Sequence, residues 1–185
     1  MKIILVSIFS IFLFSMPCNG QLKIGFVDVM LIRQLVCDKY EVETTYAYIN
    51  DSLDQINKTG IEELTNKYKY CMERGGHMIP IERDSMAKLL QVMETELNKA
   101  YLFVKDTLPM KKSTLYLEID KEIQSLVIEY SKMDYFQVIF LKDATLFYDE
   151  KLDVSQQIAQ MALQSPAVEE LLFNWPVKYG LTKNH

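Results

Sequence analysis

Apolar residues repeat with a helical period through the middle of this chain and with a strand period towards its ends. From Val42 they fall at Val42, Tyr46, Ile49, Leu53 and Ile56, then after Gly60 at Leu64, Tyr68 and Cys71. Gly75-Gly76 breaks the stripe, and Pro80 bars its quick return. A second stripe runs through Met86, Leu90, Met93, Leu97, Ala100 and Val104, and past Pro109 through Leu115, Ile119, Ile123, Leu126 and Tyr130. Alternating steps of four and three residues are heptad-like, so each stripe predicts a long helix with one narrow apolar seam. Two such helices joined by a short glycine-containing turn are expected to fold back as an antiparallel hairpin. The first helix alone would be roughly 50 Å long. That is too long for a compact domain of this size, and it favours a protruding coiled-coil arm over an ordinary two-helix layer.

The strand signals flank this region. Lys23–Val27, in "KIGFVDVMLIRQL", reads as a strand, with Asp28 placed to cap a following helix. "YFQVIFLKDATLFYDEKLDVSQQI", residues 135–158, reads as two more strands, Tyr135–Leu141 and Ala144–Tyr148, separated by a turn-like Lys142-Asp143. A lone hairpin is marginal in water. The N-terminal strand is the available third partner, because the helical hairpin returns the chain to where it began. Asp153-Val154-Ser155-Gln156 resembles a capping box that opens a short amphipathic helix through Ile158, Met161 and Ala162. The expected fold class is α+β and mostly helical: a long antiparallel coiled-coil hairpin arm projecting from a small three-stranded sheet body. Phe26, Val138, Phe140 and Leu146 exceed the cover that so small a body can provide, so self-association is expected.

Composition narrows the function. Met1-Lys2 is a small positive segment, Ile3–Phe14 an almost unbroken apolar run, and Pro17-Cys18-Asn19-Gly20 ends in small residues. This is the pattern of a secretory signal, with cleavage expected between Gly20 and Gln21. An uncleaved anchor is one alternative. Lipidation at Cys18 is another, disfavoured because Ser15-Met16-Pro17 lacks the small residue expected beside a lipidated cysteine. Cleavage leaves 165 residues (185 minus 20), enough for one domain with a real core. Loss of Lys2 leaves 19 basic against 25 acidic residues, a net charge of −6, which argues against nucleic acid as a partner.

Chemistry-bearing residues are sparse. Cys37 and Cys71 are too few for a disulfide scaffold and are not spaced as a zinc site. On one continuous helix they would stand roughly 50 Å apart, against the roughly 7 Å a disulfide spans, so both are expected to be free thiols. His77, beside the Gly75-Gly76 break, reads as a solvated turn residue, and His185 is the last residue. The nucleophile-elbow, zinc-helix, phosphate-loop and dinucleotide patterns do not occur. Glu62-Glu63 and Glu169-Glu170 are adjacent on expected helices, so their carboxylates diverge. The expectation is a protein without catalytic residues, metal or cofactor.

Taken in order, three features resemble the OmpH/Skp family of periplasmic chaperones. They are a signal followed by "KIGFVDVMLIRQL", the long helical hairpin, and "DYFQVIFLKDATLFYDEKLDVSQQI", in which Leu146-Phe147-Tyr148 and Leu152-Asp153-Val154-Ser155 fit the family's ending. The resemblance covers about Lys23 to Leu163. It implies a homotrimer whose three arms surround a cavity, and an ATP-independent holdase in the periplasm that binds unfolded outer-membrane proteins and prevents their aggregation. Transient contact with a membrane surface is also expected. On this reading the segments are a signal at 1–20, an OmpH/Skp-like domain at 21–165 with body 21–40 and 125–165 and arm 41–124, and a C-terminal extension at 166–185. Family members are often strongly basic and this chain is acidic, so client choice is not carried over. A structural coiled-coil adaptor of the envelope, without unfolded clients, is the alternative.

Large apolar residues off the helical seams are the candidates for client binding: Tyr48 and Tyr70 on the first helix, and Leu89, Val92 and Phe103 on the second. In the tail, Leu171, Leu172, Phe173 and Trp175 either dock on the body or form a loose apolar segment.

Overall fold

A computed structural model describes residues 22–178; the expected signal with Cys18, and the end of the tail from residue 179, lie outside the described residues. Helix α1 (Val29–Lys39) starts where Asp28 accepts a hydrogen bond from the Leu31 N–H, the cap expected from the sequence. It stops at Tyr40, and Glu41 adopts a left-handed conformation (φ 50°) before α2 (Val42–Arg74) begins. Cys37 and Cys71 therefore stand on different helices, not on one continuous helix. A 3₁₀ turn at Gly75–His77 leads to α3 (Pro80–Leu102), where the Glu82 carboxylate accepts from the Ile79 N–H. His77 is exposed in that turn.

The expected continuation past Pro109 carries a defect with a clear cause. Proline has no N–H to donate and its ring crowds the carbonyl four residues back. The chain responds with a π-helical turn at Phe103–Thr107, and regular α-helix resumes as α4 (Leu108–Met133). At its end Tyr135 takes a left-handed conformation (φ 57°), and the Phe136 N–H reaches back to the Ser131 carbonyl (2.9 Å).

The strands are β1 (Ile24–Val27) and β2 (Val138–Leu141), paired in parallel with Ile24 opposite Val138 and Val27 opposite Leu141. Parallel neighbours need a crossover, and the helices from α1 to α4 provide it. Gly25 allows the Phe136 ring to lie on the sheet, since a Cβ there would sit 3.0 Å from that ring. The expected strand at Ala144–Tyr148 does not form. Lys142–Ala144 is a 3₁₀ turn, and Leu146 and Phe147 follow it into solvent. The other edge of β1 is taken instead by an isolated bridge between Phe26 and Asp153, with the Val154 N–H donating to the Phe26 carbonyl (2.9 Å). The detour is held by Tyr148, whose ring packs on Phe26 (5.4 Å between centroids), and by the Lys142–Asp153 ion pair (2.5 Å).

The body is also more helical than expected. Helices α5 (Ser155–Gln164), α6 (Pro166–Phe173) and α7 (Trp175–Lys178) pack with α1 and α4 around Ile32, Val36, Ile119, Ile123, Ile158 and Ala162. Between the two alternatives for the tail, docking is what occurs through residue 178. Val168, Leu172 and Trp175 are buried, and Lys178 pairs with Glu118 on α4 (2.6 Å), while Phe173 faces solvent. The same buried cluster continues through Leu115 and Leu108 to Val42 and Ile49, across the expected limit between body and arm at residues 124 and 125.

A small network ties the two ends of the chain together. The Asp28 N–H donates to Ser155 Oγ (2.8 Å), which donates to Asp153 Oδ1 (2.6 Å), while Lys142 Nζ holds Asp153 Oδ2. The start of α5 thus differs from a capping box: Asp153 binds the N–H and hydroxyl of Ser155, two residues on. Burial would raise the Asp153 carboxyl, but hydrogen bonds from Lys142 and Ser155 outweigh it and hold the group below the usual carboxylate range. A depressed folded-state value means the stabilisation is present above the ordinary carboxylate pKa and is lost as pH falls through the folded one. Asp153→Asn should therefore lower unfolding free energy at neutral pH by about 1–3 kcal/mol. It should also flatten the loss of stability below about pH 4, as read from urea midpoints across pH.

Candidate functional site

The packed seam between α2 and α3 sets which side chains are left outside. Ile49 and Leu90 are buried, and Leu53, Leu64, Met86, Met93 and Leu97 are half-buried, as their spacing predicted. Two seam residues are left exposed, Ile56 and Tyr68. In place of Ile56, Asn57 is buried, its side-chain oxygen without a partner. A straight helix drifts relative to a seven-residue repeat. Gly60 then takes the seam position, where a Cβ would lie 2.4 Å from Leu97. Further along, the Tyr68 hydroxyl donates to Glu94, which fixes the antiparallel sense together with the Gly60–Leu97 approach. Nearer the body, Glu43 accepts from Lys112 (2.6 Å) and from the Tyr116 hydroxyl.

Four of the five residues singled out from the sequence are exposed: Tyr48, Tyr70, Leu89 and Val92. Phe103 is not. It lies half-buried in the π turn, packed against the main apolar cluster, because the bulge at Pro109 rotates it inwards. Tyr70 and Leu89 come together, lining a cleft of about 450 Å³ with Met78, Ile81, Ser85 and Met86. The Arg74 guanidinium lies over the Tyr70 ring (5.7 Å). Tyr48 is 22 residues from Tyr70 along α2, roughly 33 Å away, so these residues form a row and not one pocket.

Sequence reasoning missed an exposed apolar group, Met72, Ile79 and Ile81 around the turn. The signal was available in "HMIPI", residues 77–81, which carries large apolar residues where a solvated turn usually places polar ones. A second exposed apolar surface lies on the body, with Phe140, Leu141, Leu146 and Phe147.

Among the described residues no grouping of His, Cys, Asp and Glu side chains could hold a metal ion, and no helix is long and apolar enough to cross a membrane. A cleft of about 580 Å³ lies beside α1 and is lined by Asp28, Arg33, Cys37, Asp38, Glu43 and Tyr116, among others. Arg33 in that wall is already engaged by Asp120 (2.7 Å). Neither a known protein-family model nor a curated protein matches the chain.

Burial, with the nearby Glu43 carboxylate adding to it, pushes the Cys37 thiol up to about 11. At neutral pH it stays protonated and is a poor nucleophile. Cys71 is partly exposed, and both thiols are free. In a chain beginning at Gln21, one thiol should react promptly with a disulfide reagent near pH 8, and the second only after denaturation. Prompt reaction at Cys37, identified by peptide mapping, would contradict this packing around α1.

Proposed function

We propose that this protein is an exported, ATP-independent holdase of the OmpH/Skp type, which binds unfolded outer-membrane proteins in the periplasm and prevents their aggregation. The observation that supports this best is the row of large apolar side chains, Tyr48, Tyr70, Leu89 and Val92, left exposed along α2 and α3 while the seam between those helices stays packed. An unfolded chain can be held by many weak, reversible contacts of this kind. Such contacts lower the free concentration of unfolded client by mass action and need no nucleotide. In this reading α2 and α3 are a coiled-coil arm, and the exposed row faces a cavity between arms.

The arms come together through a homotrimeric body. The exposed Phe140, Leu141, Leu146 and Phe147 lie on and just beyond β2, whose outer edge is unpaired among the described residues. Soluble proteins seldom leave such an edge bare. Residues 144–148, which the sequence marks as strand-like and which form no strand among the described residues, would become the third strand of each sheet on assembly. A structural envelope adaptor would share the trimer but not the holding activity.

Suppression of aggregation of a denatured outer-membrane β-barrel protein, at stoichiometric ratios, is the deciding measurement. The combined change Tyr48→Ser, Leu89→Ser and Val92→Ser should weaken suppression several-fold, with each substitution moving stability by no more than about 0.5 kcal/mol. Phe103→Ser should instead cost about 1–3 kcal/mol of stability. No suppression by the unaltered protein would favour the adaptor. Sedimentation of a chain lacking residues 50–97 should still give a trimer, whereas a monomer would place the interface in the arms.

A further inference from the structure

The inward-facing positions at the far end of the α2–α3 pair share one chemistry. From Cys71 to Leu89, the residues that are not exposed are Cys71, Gly75, Met78 and Met86. Glycine has no side chain, so every side chain turned inward there carries sulfur. The three come from different stretches and converge. Gly60 lies against Leu97 across the seam. Cys71 stands eleven residues further along α2, and Met86 eleven residues earlier on α3. Both helices rise about 1.5 Å per residue, so in an antiparallel pair these two side chains stand at one height. Met78, in the connection, lines the same cleft of about 450 Å³ as Met86. A thiol on one helix, a thioether on the other and a second thioether in the turn thus bracket one small space.

The donor set decides what such a space can hold. Sulfur side chains pack as apolar groups yet keep soft, polarizable lone pairs. Thiolate and thioether donors together select Cu(I), whereas carboxylate, carbonyl and water suit hard cations. Zinc takes thiolate, imidazole or carboxylate ligands, usually four of them in a structural site, and one thiol falls short of that set. Glu82 is the acid that lines the cleft, and its carboxylate is already turned to the Ile79 N–H (3.3 Å).

We propose that Cys71, Met78 and Met86 form a three-coordinate, all-sulfur site for a soft monovalent cation, Cu(I). On binding, the Cys71 S–H bond breaks, its proton passes to solvent and the sulfur bonds the ion. The two thioethers each donate a lone pair and break no bond. The ion arrives and stays as Cu(I), so no electron moves. One proton leaves for each ion held, and affinity therefore rises with pH. Bound there, the ion ties α2, the turn and α3 together. The site goes beyond client holding and does not depend on it.

Anaerobic titration of the whole exported chain tests it, with Cu(I) in competition with a chromophoric chelator and Ag(I) as a redox-inert probe. The chain should hold a single ion and release a proton as it does so. X-ray absorption of the Cu(I)-loaded protein should show sulfur neighbours alone. Met78→Leu and Met86→Leu keep the volume and apolar character of the site. Each should lower affinity roughly tenfold or more, with the melting temperature of the metal-free protein unchanged. Cys71→Ser should abolish binding. Hydrogen exchange between residues 70 and 90 should slow on loading. Loss of the competition to the chelator, nitrogen or oxygen neighbours at the metal, or undiminished affinity in the double leucine variant would overturn the site and leave Cys71 as an ordinary free thiol.

Discussion

The parallel pairing of β1 with β2 is the constraint from which the rest of this fold follows. Lys23 and Gln137 bracket it, the Gln137 N–H donating to the Lys23 carbonyl and the Lys23 N–H to the Gln137 side chain. Closing so long a loop costs conformational entropy, though only about 0.6 kcal/mol for each doubling of its length. A parallel pair also demands that the chain travel back before it pairs. Two helices of opposite sense meet that demand, because they return the chain to its origin with most of its backbone hydrogen bonds already satisfied. A reversal such as that at Gly75–His77 is thus what the sheet's sense requires, whereas the length of α2 exceeds what a crossover needs.

The helical part of this arrangement was legible in the sequence because the seam obeys a simple period, and Gly75-Gly76 with Pro80 marks its reversal. Ile49, Leu90, Leu115, Ile119 and Ile123 are all buried where that period placed them. The period could not register local accommodation. Tyr40-Glu41 breaks the first helix without glycine or proline, through a left-handed glutamate that has no sequence signature. Pro109 announced a disturbance, yet not that it would be absorbed upstream as a π turn that carries Phe103 inward. Asn57 is buried where the period placed Ile56, and an asparagine gives the apolar pattern nothing to register.

The sheet was legible as strands and not as pairings. Ile24–Val27 and Val138–Leu141 fall inside their expected ranges. Leu146 and Phe147 have strand-like composition, yet composition does not say whether an edge is free to receive them. In this chain Asp153 occupies the open side of β1, drawn there by Lys142 and Ser155. The tail posed the same difficulty. Its apolar residues were visible, but docking required knowing that α4 offers a complementary face near Glu118 and that Leu172 and Trp175 reach it together. The exposed row that supports holding was visible for the converse reason: residues off a regular seam need only the period to be found.

Burial thins steadily from one end of the α2–α3 pair to the other. Near the body Val42, Ile49, Leu108 and Leu115 form part of one continuous core, whereas towards the turn only Asn57 and Leu90 are buried, neither of them completely, and the asparagine's oxygen is unsatisfied. The free energy that holds the backbone shut is therefore graded along the pair, highest where the strands meet and lowest at the reversal. The two helices can fray apart from the distal end and close again as a local cooperative unit, on a timescale separate from global unfolding, while the β1–β2 pairing stays intact. A molecule built this way has a deformable end and a fixed root, and its effective width can follow whatever lies beside it without any cost to the packing of the core.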